Sequence, residues 1–370
     1  MLGGGPAGSA TALALGRRGV GPVLLVEAGD YRSVRIGESL PPEIRSLLEN
    51  LGIWQDFVAE AHEPCLGSCS SWGSEAPGYN DFLFNPHGNG WHLDRRRFDE
   101  FLARKAVEGG VELWKHTRYG AVETCEGGGF SLLLETDGRP RRVSTGFVVD
   151  ATGSNSRFAR SLGIPRRPHD RLSYVASFLE LSPASTFPRL TWLEAVSYGW
   201  WYAALLPEGR IAVAVASDPE VIKEKELYRH ERWQASLEQT RHLAGRIAGC
   251  RRSQDPLIVR TAPSFLLERP WGNGWLAVGD AASSYDPISS QGVYKALLEG
   301  LEGAQAAAGW LAGESGRLEA YGRGVAERFA EYLSVRSFLY GLERRWPYAP
   351  FWIRRHERRE AKAPRSRGAS

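Results

Sequence analysis

The chain has 370 residues, 42% of them hydrophobic, with 46 Lys and Arg against 43 Asp and Glu. A net charge of +3 is too small to mark a nucleic-acid binder, and there is no run of about 18 apolar residues to span a membrane. Single cores stop growing at roughly 250–300 residues, so two interleaved domains are expected.

The first element is a glycine loop. In "GGGPAG", Gly3, Gly5 and Gly8 bracket Pro6 and Ala7 in a Gly-x-Gly-x-x-Gly spacing. Ala10, Leu13 and Ala14 follow at helical spacing, and Gly19 and Gly21 mark the helix end. "PVLLVEA", 22–28, then reads as a buried strand reaching Glu27, 19 positions beyond Gly8. A dinucleotide fold places a carboxylate about there for ribose hydroxyls, while its glycines let the pyrophosphate approach a helix N-terminus. Only Met1 and Leu2 precede the loop, so the expectation is either a misassigned or truncated start or a sheet that lacks part of its central strand. The apolar start could pass for a signal peptide, but the glycine spacing argues against one, and a reducing cytoplasm is the expected location.

Cys65 and Cys69 have no second Cys/His pair nearby; they read as reduced, buried small residues, and no metal site is expected. In "NPHGNGWHLDR", His87 and His92 are candidate general acids or bases, with Trp91 beside them. Residues 141–163 form a strand running into Asp150-Ala-Thr-Gly153, with Ser154 to Ser156 capping a segment from Arg157. Gly153 would be a second approach of backbone to the same cofactor.

"YVASFLEL", "LTWLEAVS", "GWWYAALLP" and "RIAVAVAS" read as a meander of antiparallel strands, followed by a helix over 226–250. Trp192, Trp200, Trp201 and Tyr202 in these strands are candidate walls of a substrate cavity. "GWLAVGDAA", 274–282, is a strand ending at Gly279-Asp280, whose carboxylate suits a ribose or ribityl hydroxyl. Asp286-Pro287 makes a rigid turn, and Ser289-Ser290-Gln291-Gly292 opens a helix with Val293, Leu297, Leu301, Ala304 and Ala308 on one face. A further helix is expected over roughly 316–345, before a basic tail.

GGGPAG, DATGSNSR and GDAASSYDPISSQG, in this order, resemble the FAD-dependent monooxygenase and halogenase superfamily over about residues 3–355. The resemblance implies an α/β fold: a Rossmann-like FAD/NAD(P)-binding domain of glutathione-reductase type, an inserted antiparallel β-sheet substrate domain covering the flavin, and a helical C-terminus. The implied boundaries are 1–62, 94–165 and 265–312 for the FAD domain, 63–93 and 166–264 for the insertion, and 313–370 for the remainder. FAD roles carry over to Gly3, Gly5, Pro6, Ala7, Gly8, Glu27, Gly153, Gly279, Asp280, Pro287, Ser290, Gln291 and Gly292. The resemblance also puts Arg97 on FAD, with Arg95 as the alternative, and Arg35, Glu38 and Ser39 near the flavin.

The implied activity is monooxygenation of an aromatic substrate through a flavin hydroperoxide formed with O2. No second glycine fingerprint appears, so electrons would come from a transient NAD(P)H encounter or from reduced flavin delivered by a reductase. A flavin-dependent tryptophan halogenase would need a lysine in the first insertion, yet none occurs between residues 31 and 104. A geranylgeranyl-reductase-like activity would need a long apolar tunnel, which a Trp-rich sheet does not favour. "IGESLPPEIRSLLENLG" and "YLSVRSFLYGLERRWPYAPFWIRR" more narrowly resemble flavoproteins that hydroxylate a partner protein's Trp while cysteine tryptophylquinone is built. The substrate is then an aromatic small molecule or a protein Trp, met by the basic C-terminal region. A non-catalytic flavin-binding maturation partner is the alternative from another class.

Overall fold

The structure is a computed structural model that describes residues 1–182 and 185–360, with side chains through His356. It divides into two units: Met1–Cys65, Phe82–Asp170 and Pro263–Ala330 in one, and Leu66–Asp81, Arg171–Ala262 and the chain from Glu331 in the other. The anticipated insertions at 63–93 and 166–264 thus stand beside observed spans of 66–81 and 171–262, and the helix Arg317–Leu342 is shared between the units.

The first unit is built on a parallel sheet of very short apolar strands. Glu112–Trp114 pairs with Leu24–Val26, Leu2 bridges Val26 and Asp150, and Val148–Asp150 pairs with Trp275–Ala277. Strands buried on both faces read as unbroken apolar runs, which is why LLV, VVD and WLA lack alternation. The central position is filled by Met1, Leu2 and Gly3 through four backbone hydrogen bonds of 2.8–3.0 Å to residues of the two flanking strands and the residues beside them. The helix Pro6–Arg17 packs on the helix Gly292–Leu311, and a Cβ on Gly300 would come 2.9 Å from Ala10 Cβ and the Ala7 carbonyl. Small residues set that close approach.

The second unit carries an eight-stranded sheet. The four apolar segments are strands, Ser173–Glu180, Thr191–Val196, Gly199–Leu205 and Arg210–Ser217, but not one meander. The last three form a meander, while Ser173–Glu180 pairs with Arg210–Ser217, and Gly67–Ser71 adds in parallel to Thr191–Val196. The helix expected over 226–250 is broken into His230–Glu238 and Leu243–Arg246. The break has a cause: the buried Glu194 carboxylate accepts from the amides of Arg241, His242 and Leu243, at 2.5, 3.1 and 2.9 Å, and starts a new turn there.

Candidate functional site

Three loops leave the carboxyl ends of adjacent parallel strands, the place where open α/β sheets bind ligands. In the first, Gly3 has φ +110°, and a Cβ there would lie 2.2 Å from the Ala151 carbonyl oxygen; a Cβ on Gly8 would lie 1.9 Å from the Gly3 oxygen. Gly5 differs, since nothing lies within 4 Å of its Cβ position. Gly5 is the N-cap of the first helix, Pro6 occupies the first turn, and no side chain caps it. The amides of that turn are therefore available to an anion.

Glu27 secures the loop. Its carboxylate accepts from the Gly4 amide at 2.8 Å and the Gly29 amide at 3.0 Å, with Arg35 3.3 Å away. Arg35 also donates to Asp99 at 2.6 Å, and Arg95 donates to the same Asp99 at 3.0 and 3.1 Å. Of the two arginines weighed from sequence, Arg95 is the one connected to the glycine loop. Arg97 instead donates to the Glu60 carbonyl at 2.5 Å, on another side of its helix.

The second loop is braced by Asp150, whose oxygens accept from Thr152 and from the Ala159 amide. Burial pushes this carboxyl's pKa up. Ser156 donates to the Ala281 carbonyl at 2.9 Å, tying the second loop to the third. In the third, Gly279 has φ +61° and a Cβ there would meet Ala7 Cβ at 2.7 Å, so the first and third loops also touch. Asp286 accepts from the Ile288 amide at 3.0 Å to shape the Pro287 turn, and Ser290 takes a left-handed φ of +51°. Nothing lies within 4 Å of a Cβ built on Gly153 or Gly292. The structure thus brings together backbone from Gly3, Gly8, Ala151, Gly279 and Ala281, with open ground at Gly5, Gly153 and Gly292.

Other candidates lie in packing. Glu38 is buried, and Ser39 sits on the short strand Ser39–Leu40 paired with Trp91 and His92. Trp91 packs edge-on against Phe57 and Trp54, with centroids 5.4 and 6.3 Å apart. His92 is fully buried at 0% exposure, a placement that suits a core residue and not an acid or base facing solvent. His87 is half-buried, 3.5 Å from the Ser46 hydroxyl. The four proposed cavity aromatics divide between two faces of the second unit's sheet. Cross-strand registers put Trp192 opposite Ala203 and Trp201 opposite Glu194, in the core with Trp233. Trp200 lies opposite Ala195 and Tyr202 opposite Leu193, on the other face, where Trp200 donates to the Tyr340 hydroxyl at 3.1 Å. Period-two alternation makes this division unavoidable, so one cavity cannot take all four.

Two residues at the third loop escaped the sequence reading. Lys295 donates to Asp280 at 3.0 Å and to the Ser283 carbonyl, and Glu299 accepts from the Gly279 amide at 2.8 Å. Their signal was a Lys and a Glu four apart among the apolar and small residues of one helix. Among the described residues, no three His, Cys, Asp or Glu side chains group as a metal ion requires, and no helix is long and apolar enough to cross a membrane.

A family model described as "FAD binding domain" matches residues 1–323. LodB of Marinomonas mediterranea, whose name assigns it to the FAD-dependent oxidoreductases, is 30% identical over 357 residues, 96% of each chain. Among solved structures, the flavin-dependent halogenase CmlS superposes with a TM-score of 0.86 at 24% identity, over 96% of this chain and 66% of that one. The peptidyl tryptophan dihydroxylase QhpG superposes with a TM-score of 0.71 at 21% identity, over 96% of this chain and 77% of that one. At such identities these two likenesses concern the fold.

Proposed function

The chain belongs to the FAD binding domain family, and we propose that it is an FAD-dependent monooxygenase whose substrate is a Trp side chain of a partner protein. The observation that carries the cofactor reading is the mutual contact of three loops, Gly3 against Ala151 and Gly279 against Ala7, around the open backbone at Gly5. The residues fit the group. The uncapped first helix and the Gly3–Gly8 loop would hold its pyrophosphate, Glu27 its ribose, and Asp280 its ribityl hydroxyls. The start of the helix Gly292–Leu311 would face the flavin ring with a partial positive charge. When bound, FAD supplies the electron transfer and oxygen chemistry, with NAD(P)H or a reductase's reduced flavin as donor and O2 as oxidant. The chain's own part is to orient both reactants and exclude water.

The near-full-length match to LodB supports the FAD-dependent oxidoreductase class, and the finer reading, hydroxylation of a protein Trp, draws on the fold shared with a peptidyl tryptophan dihydroxylase. That no lysine occurs between residues 31 and 104 weighs against halogenation. The test is a purified holoprotein given a flavin reductase, NADH, O2, chloride or bromide, and either free tryptophan or a candidate partner protein, followed by mass spectrometry. Oxygen gained on Trp supports the proposal. Halogen gained on the indole establishes halogenation instead, and bound flavin with no oxygen-dependent turnover makes the chain a maturation partner.

A further inference from the structure

Lys and Glu are almost never fully buried unless paired. On the helix Gly292–Leu311, one turn apart, the Lys295 side chain is 3% exposed and the Glu299 side chain 0%. Both reach back to the turn that precedes the helix. Lys295 Nζ engages Asp280 Oδ1 at 3.0 Å and the Ser283 carbonyl, and lies 4.4 Å from the Tyr285 ring centroid. Glu299 Oε2 accepts from the Gly279 amide; Oε1 makes no hydrogen bond, with Arg328 3.7 Å away and itself 2.8 Å from Glu302.

Buried ion pairs seldom stabilise more than well-packed hydrophobic side chains, so net stability alone does not account for charges at this helix–loop junction. The charges do something apolar groups cannot: they fix where one carboxylate sits. Asp280 is 47% exposed although its partner is buried, and Lys295 engages Oδ1, which leaves Oδ2 for a hydroxyl donor. The turn is also packed closely on the first helix, since a Cβ on Gly279 would lie 2.7 Å from Ala7 Cβ. Resting on the FAD reading above, we propose that Lys295 and Glu299 are positioning residues that fasten the Gly279–Ser283 turn to its own following helix and so aim Asp280 at the cofactor. Lys295 also offsets the Asp280 charge, which would otherwise repel a nearby pyrophosphate.

The test is a double-mutant cycle read as the FAD dissociation constant of the full chain. Lys295→Met weakens binding by about tenfold or more, as expected for losing a charged hydrogen-bond partner. In an Asp280→Asn background the same change costs less than about twofold, because Lys295 acts through that carboxylate. Equal losses in both backgrounds would show a purely structural role and overturn the proposal. If Lys295→Met does not fold, Lys295→Arg carries the cycle, since its broader fork displaces the contact while keeping the charge. A second arm needs no flavin: amide exchange at Gly279 rises in the FAD-free Lys295→Met and Glu299→Ala proteins, and unchanged exchange would also overturn the clamp. A wild-type chain that takes up no FAD would sink the cofactor reading, and the exchange arm alone would then decide the clamp.

Discussion

Replacing Glu299 by Gln reports directly on the buried charge beneath the third loop. Burial raises the Glu299 pKa from 4.5 to about 7, against the pull of Lys295 and Arg328. A carboxyl with a raised folded-state pKa contributes stability that is complete below its unfolded value and is lost as pH rises through the folded one. The window is therefore pH 4.5 to about 7. At about 1.4 kcal/mol per unit, the whole loss is about 3 kcal/mol, most of it between about pH 5 and about pH 8. Gln keeps an acceptor for the Gly279 amide but has no proton to lose. Urea unfolding of both proteins at about pH 5 and about pH 8 measures the effect. The variant's stability relative to wild type rises by about 2.5 kcal/mol across that interval. A difference that does not change with pH would refute the reasoning, whatever its size.

Gly5→Ala places a methyl in open space, so the flavin-free protein keeps its stability to within about 0.5 kcal/mol by thermal unfolding, while FAD affinity falls about tenfold by titration. Gly8→Ala drives the same methyl to 1.9 Å from the Gly3 oxygen, so it lowers the melting temperature of the flavin-free protein as well. Trp201→Ala, at a fully buried position, costs about 3–5 kcal/mol, whereas Tyr202→Ala on the other face costs less than half of that in the same denaturant titration. Arg95→Ala lowers flavin retention on gel filtration through its Asp99–Arg35–Glu27 connection, and Arg97→Ala leaves retention unchanged.

Much of the fold could be read from short stretches. The Gly3–Gly8 spacing, the strand to Glu27, the four apolar segments of the second sheet and the helix after Ser290 all appear where the pattern put them. Each depends on chemistry within a few residues: a left-handed φ open to glycine, an apolar run, alternation, a cap. What the pattern left undecided shares another cause. Arg95 and Arg97 are indistinguishable in "HLDRRRFD" until helix rotation sends one to Asp99 and the other to Glu60. Trp200 and Trp201 are chain neighbours with opposite destinations. The 226–250 helix is broken by Glu194, a residue more than thirty positions earlier on a strand.

The chain's local order alone determined that there would be a tight glycine turn opening a helix, an acidic residue after the second strand and a carboxylate after the last. Only the tertiary structure decided that Ala151 lies close to Gly3, that Ala7 lies close to Gly279, and that Lys295 and Glu299 turn inward, the first to Asp280 and the second to the Gly279 amide. A backbone preference is settled by a residue and its neighbours. A meeting of three loops depends on which strands pair and in what register, and that is settled by burial and hydrogen bonding summed over the whole sheet.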